Sequence, residues 1–247
     1  EDFSQSVDLA ASHPDKLAEL RALFETEAVR YGVYPLRDAS ARRGGDYAPP
    51  HSMEGHSKMT YGPMHIRMPE HGVINLKNTS YRIAATVMVQ AGGQGVIACQ
   101  GGNMAGWSLY LDEASRPSYV YNWFGHEFTT LVGEPLAAGE HQICVEYAHD
   151  GGFAAGGDLE LTVNGERVAE GRVKRTVPVI FSMSGETFDV GRDTGSPVGK
   201  YPHDFAFVGV IHGVTLERLS EPSQGVKQQE RKLSLIHISE PTRLPGI

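Results

Sequence analysis

Between residues 73 and 219 the sequence repeats with a period of two, and this property limits what that stretch can fold into. Tyr81, Ile83, Ala85, Val87 and Val89 recur at every second position, as they must in a strand with one packed face and one wet face. Further short apolar runs follow at 96–99, 107–111, 119–123, 128–132 and 143–147. Leu159, Leu161 and Val163 lead into Asn164-Gly165, with Val168 and Val173 beyond. Asn-Gly between two such runs predicts a two-residue hairpin, because both turn positions need positive φ. Residues 188–190 and 205–219 supply closing strands. Many short strands separated by glycine-rich turns, with no helical pattern between them, predict a mainly β fold built as an antiparallel sandwich or barrel.

One segment before this region has the other periodicity. Ser12, Pro14 and Asp15 read as a helix start, and Leu17, Leu20, Phe24, Ala28 and Tyr31 make an apolar stripe at three- and four-residue steps. Gly32 and Pro35 predict the stop. Such a helix needs a partner surface, since most of its stability comes from packing the stripe. Residues 38–61 show no period and carry Arg42-Arg43-Gly44-Gly45 and Pro49-Pro50, so they read as a linker or strap. The organisation expected is therefore a helical segment at 1–38, a strap at 39–72, a sandwich at 73–219 and a tail at 220–232.

Composition excludes several classes. The net charge of −8 opposes general nucleic-acid binding, which needs a basic surface. No apolar run approaches the ~18 residues that span a bilayer. Glu1 is not an initiator methionine, so the natural start is expected upstream. Residues 233–243, LSLIHISEPTR, match the translation of a sequencing-library adapter, and 233–247 are set aside from fold reasoning as one would set aside a fusion scar. Cys99 and Cys144 both fall in apolar runs and read as buried thiols in preference to a disulfide.

Candidate sites are few. Asp189 and Asp193 bracket a glycine turn and are weak calcium candidates, set against a turn whose Asp side chains bond their own backbone. His51, His56, His65 and His71 lack the i, i+4 spacing of a zinc site. Residues 195–200 imitate a phosphate loop but are one residue short, with Tyr201 where Ser or Thr must meet magnesium. Trp107, Tyr119, Tyr121, Trp123 and Phe124 allow three readings: sandwich core, contact with another domain, or sugar stacking. Asn78-Thr79-Ser80 is a glycosylation sequon.

Asp2-Phe3-Ser4-Gln5, Asp8-Leu9-Ala10 and His13-Pro14-Asp15-Lys16-Leu17 resemble the segment that closes the catalytic domain of bacterial arylsulfatases. Asn75-Leu76-Lys77-Asn78 with Ser80-Tyr81-Arg82-Ile83 resembles the first strand of the C-terminal domain in that family. The same holds for Gly106-Trp107-Ser108-Leu109-Tyr110, Tyr121-Asn122-Trp123 and Asp189-Val190-Gly191 with Asp193-Thr194-Gly195. The resemblance implies a laminin-G or concanavalin-like jelly roll preceded by the last helix of a truncated α/β sulfatase domain. It also implies a larger parent that hydrolyses sulfate esters through formylglycine and calcium. That chemistry needs a C/S-x-P-x-R motif, a metal and cationic groups around the developing charge. Cys99 and Cys144 lie in neither such motif, and Ser12-His13-Pro14-Asp15-Lys16 lacks the arginine. No catalytic or cofactor-binding residue is carried over, and the chain alone is expected to be inactive. Its expected partner is the absent catalytic domain, with Trp107, Tyr121 and Trp123 as candidate contacts to that domain or to sugar. The competing expectation is a carbohydrate-binding module of a glycoside hydrolase. Bacterial periplasm and cytoplasm both stay open.

Overall fold

The computed structural model describes residues 6–34, 53, 55–221 and 225–227. It divides into two compact units, Glu1–Ala48 and Pro49–Ile247. Pro35, the Arg42–Gly45 and Pro49-Pro50 stretches, His51, the Asp2–Gln5 motif and residues 233–247 lie outside the described residues.

The first unit carries helix α1, Pro14–Arg30. Its N-cap is His13 with no capping side-chain bond, so the cap expected at Ser12 is corrected by one place. Ser12 instead turns its hydroxyl back to donate to the Leu9 carbonyl at 3.0 Å. Pro14 opens the helix, where its missing N–H costs nothing. At the other end Gly32 takes φ 64°, and the Val33 N–H reaches the Ala28 carbonyl at 2.9 Å, closing the last turn. Ala28 is buried, whereas Leu20, Leu23 and Phe24 are about half exposed, at 50, 55 and 48%. No helix among the described residues is long and apolar enough to cross a membrane.

The second unit is a β-sandwich. Its strands are β1 (Lys58–Tyr61), β2 (Tyr81–Val89), β3 (Gly95–Gly101), β4 (Gly106–Leu111), β5 (Pro117–Trp123), β6 (Glu127–Val132), β7 (Gly139–His149), β8 (Gly157–Val163), β9 (Glu166–Val173), β10 (Phe188–Val190) and β11 (Gly209–Arg218). A six-stranded sheet runs β1-β11-β2-β7-β8-β9, and a five-stranded sheet runs β10-β3-β4-β5-β6. Every ladder is antiparallel. The hairpin expected at Asn164-Gly165 is present, with φ 52° and 85° and Val163 opposite Glu166.

The alternation in β2 does what period two predicts. Tyr81, Ile83, Ala85, Val87 and Val89 are buried, facing Trp107, Leu109, Leu111, Tyr119 and Tyr121 from the other sheet. Tyr81 and Tyr119 join their hydroxyls across the core at 2.8 Å. This satisfies two phenols that burial would otherwise penalise.

Two expectations need correction. The strap at 39–72 ends in regular structure, because residues 58–61 pair with β11. A four-residue edge strand with only Tyr61 buried leaves too little alternation to detect. The closing strand begins at Gly209, not at Phe205. Residues 205–208 leave the six-stranded sheet and bond to the other one, with Val96 N–H on the Phe205 carbonyl at 2.8 Å and Val208 N–H on Gln94 at 2.7 Å. They belong to a segment, 191–208, that lies over the outer face of the five-stranded sheet. There Val198 and Phe205 pack on Val96, Cys99, Tyr110 and Val120. This second layer explains why β3 and β4 are buried at every position.

Candidate functional site

The aromatic residues separate by strand parity. Trp107, Tyr119 and Tyr121 point inward and are at most 2% exposed, so Trp107 and Tyr121 offer no face to a sugar or a partner. The Trp107 indole N–H donates to Gln100 at 3.2 Å, and the Tyr121 hydroxyl accepts the Val177 N–H at 2.8 Å. Trp123, at the end of β5, leaves the core and lies half-buried beneath the Arg175 guanidinium, 3.8 Å from its ring centroid.

Asp189 and Asp193 are both 1% exposed and stand beside Cys99, their ligand atoms within 4.8 Å of one another. The carboxylates are already engaged. Asp189 accepts the Arg67 and Thr194 N–H groups and the Thr194 hydroxyl, the last at 2.7 Å. Asp193 accepts Gly195 N–H at 3.3 Å, Val198 N–H at 3.2 Å and the Tyr201 hydroxyl at 2.7 Å. Burial, reinforced by both carboxylates, pushes the Cys99 thiol well up and keeps it protonated. Calcium wants six to eight free oxygens, and this donor set does not fit it. The two aspartates instead fasten the start of segment 191–208 to the sheet. Burial raises the Asp193 carboxyl, with neighbouring Asp189 adding to the effect against three hydrogen bonds that lower it.

The other candidates are dispersed. His65 bonds the Gly62 backbone and packs edge-on against Tyr61. Among the described residues, no histidine belongs to a metal-sized cluster. The sequon residue Asn78 is 3% exposed and its amide donates to the Pro178 carbonyl at 2.7 Å, so in this fold it is closed to glycosylation. Cys99 and Cys144 are free thiols. Cys144 faces outward on the six-stranded sheet, and burial pushes its pKa to about 11. A thiol reagent at pH 8 is therefore expected to label Cys144 slowly and Cys99 only on unfolding, which timed mass spectrometry would check.

Three surfaces stand out on the second unit among the described residues. The first is one end of the sandwich. Residues 174–187 carry the chain from β9 to β10 and so cross that end. Glu70 holds this segment: its Oε2 accepts the Phe181 and Ser182 N–H groups, with Oε1 sharing the Phe181 N–H, and Glu70 is itself paired with buried Lys77. Lys77 lies over the Phe181 ring at 5.1 Å. On the same end, Asn122 ties its amide to the Gly102, Asn103 and Val198 carbonyls at 3.0, 3.1 and 3.3 Å. Met104, Ile180 and Met183 are exposed there. Phe124 adopts φ 51°, a costly conformation for a bulky side chain.

The second is an open groove of about 670 Å³ over the outer face of the six-stranded sheet. Its two arginines are each held by two carboxylates, Arg172 by Asp150 and Asp158 and Arg167 by Glu160 and Glu170, so the groove carries an excess of negative charge. The third is a pocket of about 450 Å³ between the β4–β5 turn and segment 191–208. Tyr110 and Tyr201 meet at 4.9 Å, and Tyr201 stacks on Phe205 at 5.8 Å. Asp112 and Arg116 form a locked pair at the rim. Sequence reading missed this pocket and the Glu70–Lys77 pair. The one signal for the pocket was the unbroken apolar run at 96–99, which needs cover on both faces.

No protein-family model and no curated protein matches this sequence. Among solved structures, the chain is similar to the Ruminococcus gnavus IT-sialidase CBM40 bound to α2,3-sialyllactose, with 14% identity, 64% of this chain and 83% of that chain covered, and a TM-score of 0.42. It is similar to the leech intramolecular trans-sialidase, with 13% identity, 70 and 26% covered, and a TM-score of 0.45. It is also similar to domains LG4-5 of the mouse laminin α1 chain, with 13% identity, 65 and 38% covered, and a TM-score of 0.40. At such low scores these likenesses add nothing to what the hydrogen-bond ladders already establish: the chain carries a two-sheet antiparallel β-sandwich.

Proposed function

We propose that this sandwich is a non-catalytic module of a sulfate-ester hydrolase, its apolar end turned toward the catalytic body. Formylglycine and calcium belong to that body in this reading. The observation that carries it is the fate of the residues that resemble the arylsulfatase family. Trp107, Tyr121, Asn122, Asp189 and Asp193 are all at most 2% exposed, and their polar atoms fasten loops. In this reading they shape a surface. Several of them brace the end that displays Met104, Ile180 and Met183, and exposed apolar groups beside a strained Phe124 suit a docking face. The half-exposed stripe of α1 suits the same parent, because a helix of this kind is stabilised by what covers it.

Extending the reading frame upstream of Glu1 tests the proposal. A C/S-x-P-x-R motif in frame is the expected result, together with no turnover of 4-nitrophenyl sulfate by the 247-residue chain. Turnover by this chain unaided, or an upstream glycosidase domain with paired carboxylates, would overturn it.

A second reading, carbohydrate binding, is favoured by the pocket beside segment 191–208, where aromatic rings and planar polar groups converge. It no longer depends on Trp107, which the core encloses. Retention of the chain on a polysaccharide matrix in affinity electrophoresis is its expected result, and free migration on every matrix counts against it.

A further inference from the structure

We infer that the pocket between the β4–β5 turn and segment 191–208 is a subsite for a neutral sugar ring. The inference rests on the carbohydrate-binding reading and gives it a place and a ligand chemistry. The pocket volume of about 450 Å³ suits a small ligand and not a large one. Its apolar wall is the half-buried Tyr201 ring, which is in ring contact with Tyr110 on one side and Phe205 on the other; those two rings, 9 and 8% exposed, back it from beneath. Such a wall receives the C–H face of a pyranose, as aromatic rings take other apolar surfaces with a polar edge.

The wall is rigid. The Tyr201 hydroxyl donates to buried Asp193, so its ring cannot swing without breaking a bond to a group that two backbone N–H groups, of Gly195 and Val198, also hold in place. The pocket is thus formed before any ligand arrives, which lowers the ordering cost of binding.

The rim decides the ligand class. Asp112 and Arg116 neutralise each other through paired contacts at 2.7 Å. Glu113 and Lys200 also line the pocket, are exposed, and enter no ion pair or side-chain hydrogen bond among the described residues. Two carboxylates and two cations leave no net charge, so neither an anionic nor a cationic ligand is favoured. An unengaged carboxylate acceptor and an unengaged ammonium donor at one rim match neighbouring hydroxyls, each of which both donates and accepts. A sugar supplies such hydroxyls on an apolar ring. Glu113 and Lys200 are therefore the specificity groups, and Asp193 is a positioning residue that acts through Tyr201.

Isothermal titration of the full chain against neutral gluco-, galacto- and manno-oligosaccharides, with sulfated galacto-oligosaccharides beside them, tests this. The expected result is binding of at least one neutral series, weakened about tenfold or more by Glu113→Ala and by Lys200→Ala, as loss of a hydrogen bond to a charged group implies. Arg172→Ala, on the other sheet, should leave binding unchanged. Both rim positions are exposed, so unchanged thermal melting should accompany the loss. Binding that ignores Glu113→Ala and Lys200→Ala overturns the subsite while the carbohydrate reading stands. Preference for the sulfated series overturns the neutral ligand class. Absence of binding to any saccharide overturns both.

Discussion

Asp193→Ala is expected to destabilise the sandwich by about 3 kcal/mol, the cost of leaving several buried donors without an acceptor. The three donors are the Gly195 and Val198 N–H groups and the Tyr201 hydroxyl, and Val198 is wholly buried. Water cannot replace the carboxylate without opening segment 191–208, so the cost falls on that segment more than on the ladders. Urea denaturation should show the loss, and near-ultraviolet circular dichroism should lose the tyrosine signal of Tyr110 and Tyr201 while the far-ultraviolet sheet signal stays. Asp193→Asn should fall between, since an amide keeps one acceptor but aims an N–H at a donor. The pH dependence has a definite sign. The folded Asp193 pKa is raised, chiefly by burial, so its contribution is present below the unfolded value and is lost as pH rises through the folded one. The wild type should therefore lose stability as pH rises from the unfolded Asp193 value through the raised folded one, a loss that Asp193→Asn does not show. A loss of under about 1 kcal/mol in Asp193→Ala would show that this carboxylate fastens nothing.

How much of this was legible in the sequence depends on distance along the chain. Strand β2 was legible because its packing is written locally, one residue in two, and the Asn164-Gly165 turn because only a few residue types tolerate positive φ twice. Trp107 was placed in a group of aromatics with three possible fates, and its parity with Leu109 and Leu111 settles the matter only once the inner face is known. Trp123 has the same parity as Tyr121, yet it sits at the strand end, where the core stops and Arg175 takes over as cover. Asp189 and Asp193 could be picked out as a bracket around a glycine, but a carboxylate that binds backbone donors and one that binds calcium look alike in sequence. Segment 191–208 could not be seen as a covering layer, because what it covers lies about a hundred residues earlier in β3 and β4. Nothing in the sequence pointed to the pairing of Glu70 with Lys77, although Lys77 lies in a run that carries the family resemblance. They are an acid and a base in an irregular stretch, and the groups that make them matter, the N–H groups of Phe181 and Ser182, lie 111 and 112 residues away.

That invisible pair supports the second large prediction. Glu70→Ala should cost about 3–5 kcal/mol, the usual effect of removing one partner from a buried ion pair. Lys77 is 6% exposed, so its ammonium would be stranded against the Phe181 ring with no counter-charge. The Phe181 and Ser182 N–H groups would lose their acceptor too, and residues 174–187 should come loose from the end of the sandwich. Lys77→Met should cost less, because Glu70 keeps both backbone donors, but it should move the acid transition. Burial raises the Glu70 carboxyl, yet Lys77 and the backbone donors outweigh burial and hold it below the ordinary value of 4.5. A lowered folded pKa gives stability that is present above the unfolded value and is lost as pH falls through the folded one. With Lys77 gone, burial is opposed by the two N–H groups alone, the folded pKa climbs, and this acid-side stabilisation shrinks or reverses. Thermal melts from pH 3 to 7 should therefore show the Lys77→Met penalty fully developed near neutrality and shrinking as pH falls toward the lowered folded Glu70 pKa. A penalty that stays constant across that range would mean that the pair is held by packing around the Lys77 stem and not by charge. In that case hydrogen exchange at Phe181 and Ser182 should be unchanged in Lys77→Met, and only Glu70→Ala should release the cap.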